Sequence, residues 1–530
     1  MTDQSSSWPV NPSLKTGVRG VTLLFLFFLV SVTPVPGQKN STPKKLPSAE
    51  KIVDNYLKAI GGKKNVAAIK DATYEWVVQL ESRSVGTAIA KRKPPASERW
   101  ETSSEKGVIV SASSSTSAWE LGLDNQLHTR TGIEGATAKL HSLLDASHLV
   151  DIKKLNVLAR VVSLGDLGSE PAYIVEFSTK GGAKLQYYFS LKTGLITRVT
   201  DDTRKTTTWF EDYRKVKNIL EPHRLRISSE TAELTFELQN ATFNAGVDDR
   251  QFDPPRTMDA VEVEALWREV GKNQDEIEKR VGEYSFVQKE TDREINNKGE
   301  LKKETVKVYE VYPIAHREPV QKLISENGVA LSPERAAKED KRVQEEFLKA
   351  ERNQQKDEAE AAKRRAEQEK KNKAEGREAD ADPEISQFLK ICEFVSPRRE
   401  RFDGREVIVF DFRPRPGFKP GNRGESLVAK LVGAVWIDPA DKQVIRLEAR
   451  LAEAFKMAGG LLVSLKPGAA MVMEQTRMES GVWLPRFAQM NLSVKVLLFG
   501  GGDYNKTVEW SNYKHFSGDV KDYKIEAPKP

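Results

Sequence analysis

The chain has a single cysteine, Cys392, in 530 residues. An intrachain disulfide and a cysteine-based zinc site are therefore excluded. A dominant charge of one sign is also missing. The 83 basic residues face 77 acidic ones, which leaves a net charge of only +6. That excess is too thin to argue for a nucleic-acid partner, and no basic stripe is interleaved with aromatics. The densest basic cluster, "SPRRERFDGR" from Ser396 to Arg405, reads as a solvated loop.

Catalytic motifs are absent as well. There is no Gly-x-Ser-x-Gly elbow, P-loop, Gly-x-Gly-x-x-Gly fingerprint or His-Glu-x-x-His helix. Of the six histidines, His141 and His148 could share a helix face, but the sequence offers no third metal ligand beside them. They read as ordinary boundary histidines. "FGGGD", Phe499 to Asp503, reads as a turn. Carboxylates are too numerous for any pair to stand out as a hydrolytic dyad. A binding protein is the leading class, and a hydrolase ranks third.

Long apolar runs are missing with one exception. "VTLLFLFFLVSV", Val21 to Val32, follows Lys15 and Arg19. Twelve residues make a signal-peptide core but are short for a membrane span. The small residues Val35 and Gly37 suit cleavage before Gln38. Residues 1–37 are therefore expected to be a signal peptide, 38–47 a polar leader, and the mature chain exported. An uncleaved N-terminal anchor is the alternative.

What the sequence does contain is alternation. "PSAEKIVDNYLKAIGG" is a helix capped by Ser48 and ended by Gly61-Gly62. "TYEWVVQL" then alternates apolar and polar residues as a half-buried strand does. Further strands are expected at Glu98–Thr102 and Ala118–Leu123, and a helix from about Glu134 to Ala159. "AYIVEFS", "LQYYFS", "LITRVT", "TTTWFEDY", "HRLRIS" and "ELTFELQ" follow as an antiparallel meander. By the two-residue strand period, Tyr74, Trp76, Val78, Leu185, Tyr187 and Phe189 fall on one face. A curved sheet with a thin helical cover would turn that face into an apolar cavity, with these six residues as its lining.

The second half repeats the first. "YYFSLKTGLITRVTD" (Tyr187–Asp201) aligns without a gap on "VWIDPADKQVIRLEA" (Val435–Ala449). Val175-Glu176-Phe177 matches Phe410-Asp411-Phe412, and Pro222-His223 matches Pro485-Arg486. The offsets grow from 235 to 248 to 263 residues, so the second copy carries modest insertions. One of these is charged: Glu334–Asp380 holds fourteen basic and fourteen acidic residues, with only Val343, Phe347 and Leu348 as large apolar ones. It reads as a solvated helix inserted over residues 332–382. The expected fold is α+β and β-dominated. It comprises two tandem incomplete antiparallel barrels, each with a helical lid, over residues 48–256 and 257–530.

These strings resemble the outer-membrane lipoprotein-sorting proteins of the LolA/LolB type. The resemblance is carried by "AEKIVDNYLKAIGGKKNVAAIK", "YYFSLKTGLITRV", "DYRKVKNILEPHRLRI" and "DDRQFDPP". It covers residues 48–256, with 263–525 as a more diverged relative. It implies a periplasmic carrier that holds the acyl chains of a lipid or lipidated protein, without a cofactor and without catalysis. It also implies an outer-membrane or envelope protein as a further partner. The competing reading from another class is an envelope sensor or protein-interaction module of the same fold.

Overall fold

The computed structural model describes residues 46–152, 155–166, 170–296, 301–314, 319–374, 388, 390–457, 463–496 and 500–515. The expected signal segment and its cleavage site lie outside the described residues. From Pro47 onward the chain forms one unit, built on two open antiparallel sheets of thirteen strands each.

The chain enters through helix α1 (Ala49–Ala59), whose first turn is capped by the Ser48 hydroxyl accepting from Lys51 N–H at 3.3 Å. The short α2 (Lys63–Ala67) follows. The first meander is β1 (Ala72–Leu80), β2 (Arg83–Lys93), β3 (Ser97–Ser104), β4 (Gly107–Ser113), β5 (Ala118–Leu121) and β6 (Leu127–Thr129). Helix α3 (Gly132–Ser147) separates it from a second meander. That one is β7 (Leu158–Asp166), β8 (Pro171–Ser178), β9 (Lys184–Ser190), β10 (Ile196–Asp201), β11 (Thr206–Val216), β12 (Ile219–Ser228) and β13 (Glu233–Phe243). The two meanders join where β1 pairs with β13, and β6 and β7 are left as the ends of the sheet.

The second sheet follows the same plan. Helix α4 (Ala260–Val281) leads into β14 (Tyr284–Ile295), β15 (Leu301–Tyr312), β16 (Val320–Glu326) and β17 (Val329–Ala330). Helix α5 (Pro333–Ala374) comes next. The return meander is β18 (Cys392–Phe402), β19 (Arg405–Pro414), β20 (Leu431–Asp438), β21 (Gln443–Leu451), β22 (Phe455–Met457), β23 (Val463–Leu465), β24 (Ala470–Arg477), β25 (Trp483–Val496) and β26 (Gly500–His515). Again the first strand pairs with the last, β14 with β26. The three sequence landmarks fall on matching strands: β8 and β19, β9–β10 and β20–β21, β12 and β25. The small β22–β23 hairpin lies off the main strand path, between β21 and β24, where the sequence offset grows.

Three sequence expectations are corrected. The α3 helix stops at Ser147, because its cap His148 turns left-handed at φ 50°, and the last two residues of the stretch expected to be helical, Leu158 and Ala159, open strand β7. Gly500–Asp503 is strand, with Gly500, Gly501 and Gly502 opposite Val496, Lys495 and Val494. The basic cluster is not a solvated loop. Its first part lies in β18, and Arg398 is fully buried because it meets Glu400 at 2.7 Å and Asp411 at 3.0 Å. A buried charge persists only when it is paired in this way.

Those charges sit where the two sheets meet. Thr129 of β6 donates to Glu400 from its backbone N–H and from its hydroxyl, at 2.7 and 2.6 Å. Ser117 Oγ donates to Asp411 at 2.5 Å. At this point the boundary is held by hydrogen-bonded ions.

Candidate functional site

All six residues expected to line a cavity are buried in one apolar cluster, at 5% exposure or less. On β1, Tyr74, Trp76 and Val78 point inward as alternate positions, and β9 does the same with Leu185, Tyr187 and Phe189. Trp76 stacks on Trp100 at 6.4 Å, and Tyr187 stacks on Phe189 at 6.4 Å. Helix α1 covers this face with Ile52, Val53, Tyr56 and Leu57, and α3 covers it with Leu140 and Leu144. Each large aliphatic side chain buried in this way contributes roughly 1.5–3 kcal/mol.

The sheet must be strongly curved. Four strands separate β1 from β9, which in a flat sheet would be about 24 Å. Yet Arg92 of β2 lies 5.4 Å over the Tyr74 ring and 3.0 Å from Asp145, which also accepts from Tyr187 Oη at 3.2 Å. Side chains from both arms of the sheet thus meet on one helix residue.

That meeting point is polar, and sequence reasoning missed it. Asp145 of α3 holds Arg92, His141 Nδ1 at 3.3 Å and Tyr187. Arg92 also pairs with Glu98 at 2.8 Å. On the other side Tyr74 Oη donates to Glu221 at 2.8 Å, and His148 Nε2 lies 3.6 Å from the same carboxylate. The two histidines that seemed idle each face an acid. The i,i+4 spacing of His141 and Asp145 was the readable half of this signal; Glu98 and Glu221 arrive only through strand topology. Burial works to raise the Asp145 pKa, but Arg92 and His141 overcome it and hold the carboxyl below the usual carboxylate range. Burial, then Glu221, pushes the Tyr74 hydroxyl up, and burial followed by Asp145 does the same to Tyr187. Glu98, His141 and Asp145 offer ligand atoms within 4.8 Å of one another. The Arg92 guanidinium already supplies the positive charge between the two carboxylates, so the arrangement is an ion-pair network and not a cation site.

One polar atom of the cluster is left over. The Trp76 indole N–H is buried and has no hydrogen-bond partner, an arrangement that costs about 1–3 kcal/mol. The second sheet holds a parallel case. Trp267 of α4 packs against Phe388, Phe394 and Phe410 at 5.5–5.8 Å, and its indole N–H is likewise buried and unpartnered.

No family model and no curated protein matches this chain. Solved structures that share features include a DUF1329 family protein from Desulfovibrio piger, at 12% identity over 39% of this chain and 97% of that one, with a TM-score of 0.27. A LolA superfamily protein from Nitrosomonas europaea matches at 9% identity over 39% and 99%, TM-score 0.28. MucB in complex with MucA(peri) matches at 7% identity over 87% and 94%, TM-score 0.13. At these scores the fold rests on this chain's own strand order.

Proposed function

We propose that this chain is an exported, periplasmic carrier whose first unit holds an acyl chain of a lipid or lipidated protein between the sheet and helices α1 and α3. The carrying observation is the apolar face from β1 to β9, interrupted by the Glu221 carboxylate of β12, with the Trp76 N–H buried in it without an acceptor. An ester or amide carbonyl at the head of an acyl chain would supply that acceptor. Each buried methylene adds about 0.8 kcal/mol, which a chain of a dozen carbons sets against the cost of moving α3 off the sheet. Within this reading Tyr74, Trp76, Val78, Leu185, Tyr187 and Phe189 form the wall, and no step of bond chemistry is required. The same reading takes residues 48–256 and 257–530 as one half-barrel fold used twice.

The test is uptake of a fluorescent acyl probe by the full mature chain. Trp76→Glu or Phe189→Glu is expected to lower affinity at least tenfold, about 1.4 kcal/mol, while Gln79→Glu on the other face of β1 changes it little. Ser190, which alternation places on that other face, is no control, because it is buried and caps the backbone of Lys192 and Thr193. Circular dichroism confirms that the variants fold. Equal responses on both faces, or no probe binding by the wild type, would overturn the carrier reading. The interaction-module reading draws on α5, a 42-residue charged helix. A stable protein complex recovered without lipid would favour it.

A further inference from the structure

The turn between β8 and β9, Thr179-Lys180-Gly181-Gly182-Ala183, reaches from the first sheet onto the second. Lys180 Nζ donates to Asp503 Oδ1 at 2.6 Å and to the Ser493 hydroxyl. The side chains of Lys180 and Asp503 are only 12% and 11% exposed. Asn505 Nδ2 donates to the backbone carbonyl of Lys180 at 3.4 Å and to Asn491 Oδ1 at 2.5 Å. Ser493 faces Asp503, and Asn491 faces Asn505, across the β25–β26 ladder, so all four share one face of the sheet. That patch is polar, although the sheet buries Val409, Ala434 and Trp436 along β19 and β20.

From this geometry we propose that the patch is a receptor for a lysine displayed on a glycine-flanked turn, and that the chain's own turn fills it as an internal, exchangeable ligand. The ligand class is a polypeptide that offers a primary ammonium to Ser493 and Asp503 and a backbone carbonyl to Asn505. Two observations separate this contact from a permanent seam. First, the glycine tip of the turn has little apolar anchorage of its own, although Ala183 behind it is buried in the core of the first sheet. A Cβ on Gly182 would meet only Ile133 Cδ1 at 4.0 Å, and one on Gly181 would meet the Asn491 amide at 3.5 Å. By contrast, the Arg398 cluster at the same boundary is a multidentate guanidinium site with its ions fully enclosed. Lysine is a compact point charge on a flexible stem, and it leaves such a site more readily than a forked guanidinium does. Second, the internal ligand does not satisfy the patch: Asn505 Oδ1 is buried at 7% residue exposure and accepts no hydrogen bond. A partner turn with one more donor, such as a serine hydroxyl or a backbone N–H, would bind better than the resident turn.

The proposal does not depend on acyl binding, and its test contains no lipid. A fluorescein-labelled cyclic peptide containing Thr-Lys-Gly-Gly is titrated by anisotropy against the full mature chain and its Lys180→Ala and Lys180→Gln variants. Emptying the internal ligand is expected to tighten peptide binding at least tenfold over wild type. Adding Asp503→Asn to Lys180→Ala is expected to abolish the gain. A second readout guards against misfolding. n-Butylammonium at millimolar concentration is expected to raise the Tm of Lys180→Ala and to leave the double variant unmoved. Peptide binding that is equal in wild type and Lys180→Ala, or that survives Asp503→Asn, overturns the receptor. So does a Lys180→Ala chain whose Tm ignores the amine.

Discussion

Helices α3 and α5 stand at the same point of the two sheets, between the first meander and the return, yet they do opposite work. Helix α3 buries Leu140 and Leu144 beneath the first sheet and carries Asp145 and His141 into its polar centre. Among its described residues helix α5 buries only Val343, Phe347 and Ala350, and their apolar anchorage is to Val320, Tyr312 and Ile314 at the β15–β16 end of the sheet. The main apolar cluster of the second sheet is covered by α4 through Val263, Trp267 and Val270. The difference teaches that strand order is a weaker constraint than the cover. The same ladder tolerates a helix that is part of the core and one that is an edge appendage, because backbone pairing is satisfied either way.

The comparison breaks first at the apolar contacts of the two helices. Leu144→Ala is expected to destabilise the full chain by about 3 kcal/mol, since it removes a fully buried side chain from between helix and curved sheet. Phe347→Ala, though a larger deletion, is expected to cost less in global stability, about 1 kcal/mol, because its cluster is a satellite that frays alone. Urea unfolding followed by tryptophan fluorescence reads both. Equal losses would mean that α5 belongs to a shared cooperative core.

The polar tie of α3 sharpens the contrast through pH. The folded-state pKa of Asp145 lies below its unfolded value, so the stability it contributes is present above the ordinary carboxylate pKa of about 4 and is lost as pH falls below it. Asp145→Asn is expected to destabilise the chain at pH 7 and to flatten the acid limb of a stability-versus-pH curve below pH 4. An acid limb that stays unchanged in Asp145→Asn would show that the ion-pair network does not depend on Asp145.

Much of this could be read from the sequence, and the failures share a cause. The cap at Ser48, the alternation on β1 and the matched hairpins are local signals, and all three were legible. Strand β2 was not, because "RSVGTAIAKRK" is polar at both ends and contains Gly86. A Cβ there would lie 2.1 Å from the Ser103 carbonyl, so glycine is required by the close approach of β3. Arg398 was misread because a dense charge cluster looks solvated until the fold adds, to Glu400 two residues along β18, Asp411 from the paired β19 and Thr129 from the other sheet. The polar centre under the first sheet was hidden for the same reason: Arg92, Asp145 and Glu221 lie far apart in sequence and meet only through the strand order. Pairings between distant residues are written in topology, which local pattern does not encode.

A smaller effect is expected at Asp253, on the segment that leads from the first sheet toward α4. Burial raises its pKa to about 6, only partly offset by Arg413 at 3.8 Å. An acid whose folded pKa is raised contributes stability below its unfolded pKa and loses it as pH rises through the folded value, so the charged form burdens the fold above about pH 6. Asp253→Asn is therefore expected to raise the Tm at pH 7.5 and to leave it unchanged at pH 4. Thermal scans at the two pH values decide it, and a variant that is no more stable at pH 7.5 removes the burden.

The smallest effect is expected at the far end of α5. The described apolar contacts of the helix end at Ala350, and no large apolar residue follows Leu348 before Asp380. A stretch of that composition has nothing to bury and gains its stability from i,i+4 ion pairs worth a few tenths of a kcal/mol each. Replacing residues 353–380 with a Gly/Ser linker is expected to shift global stability by less than about 0.5 kcal/mol. Replacing the whole helix from Pro333 is expected to cost more, because it also strips Val343 and Phe347 from Val320. Urea midpoints of the two deletions, compared with Phe347→Ala, separate the outcomes. If the distal deletion alone matches the full one, α5 packs along its length, and the contrast with α3 disappears.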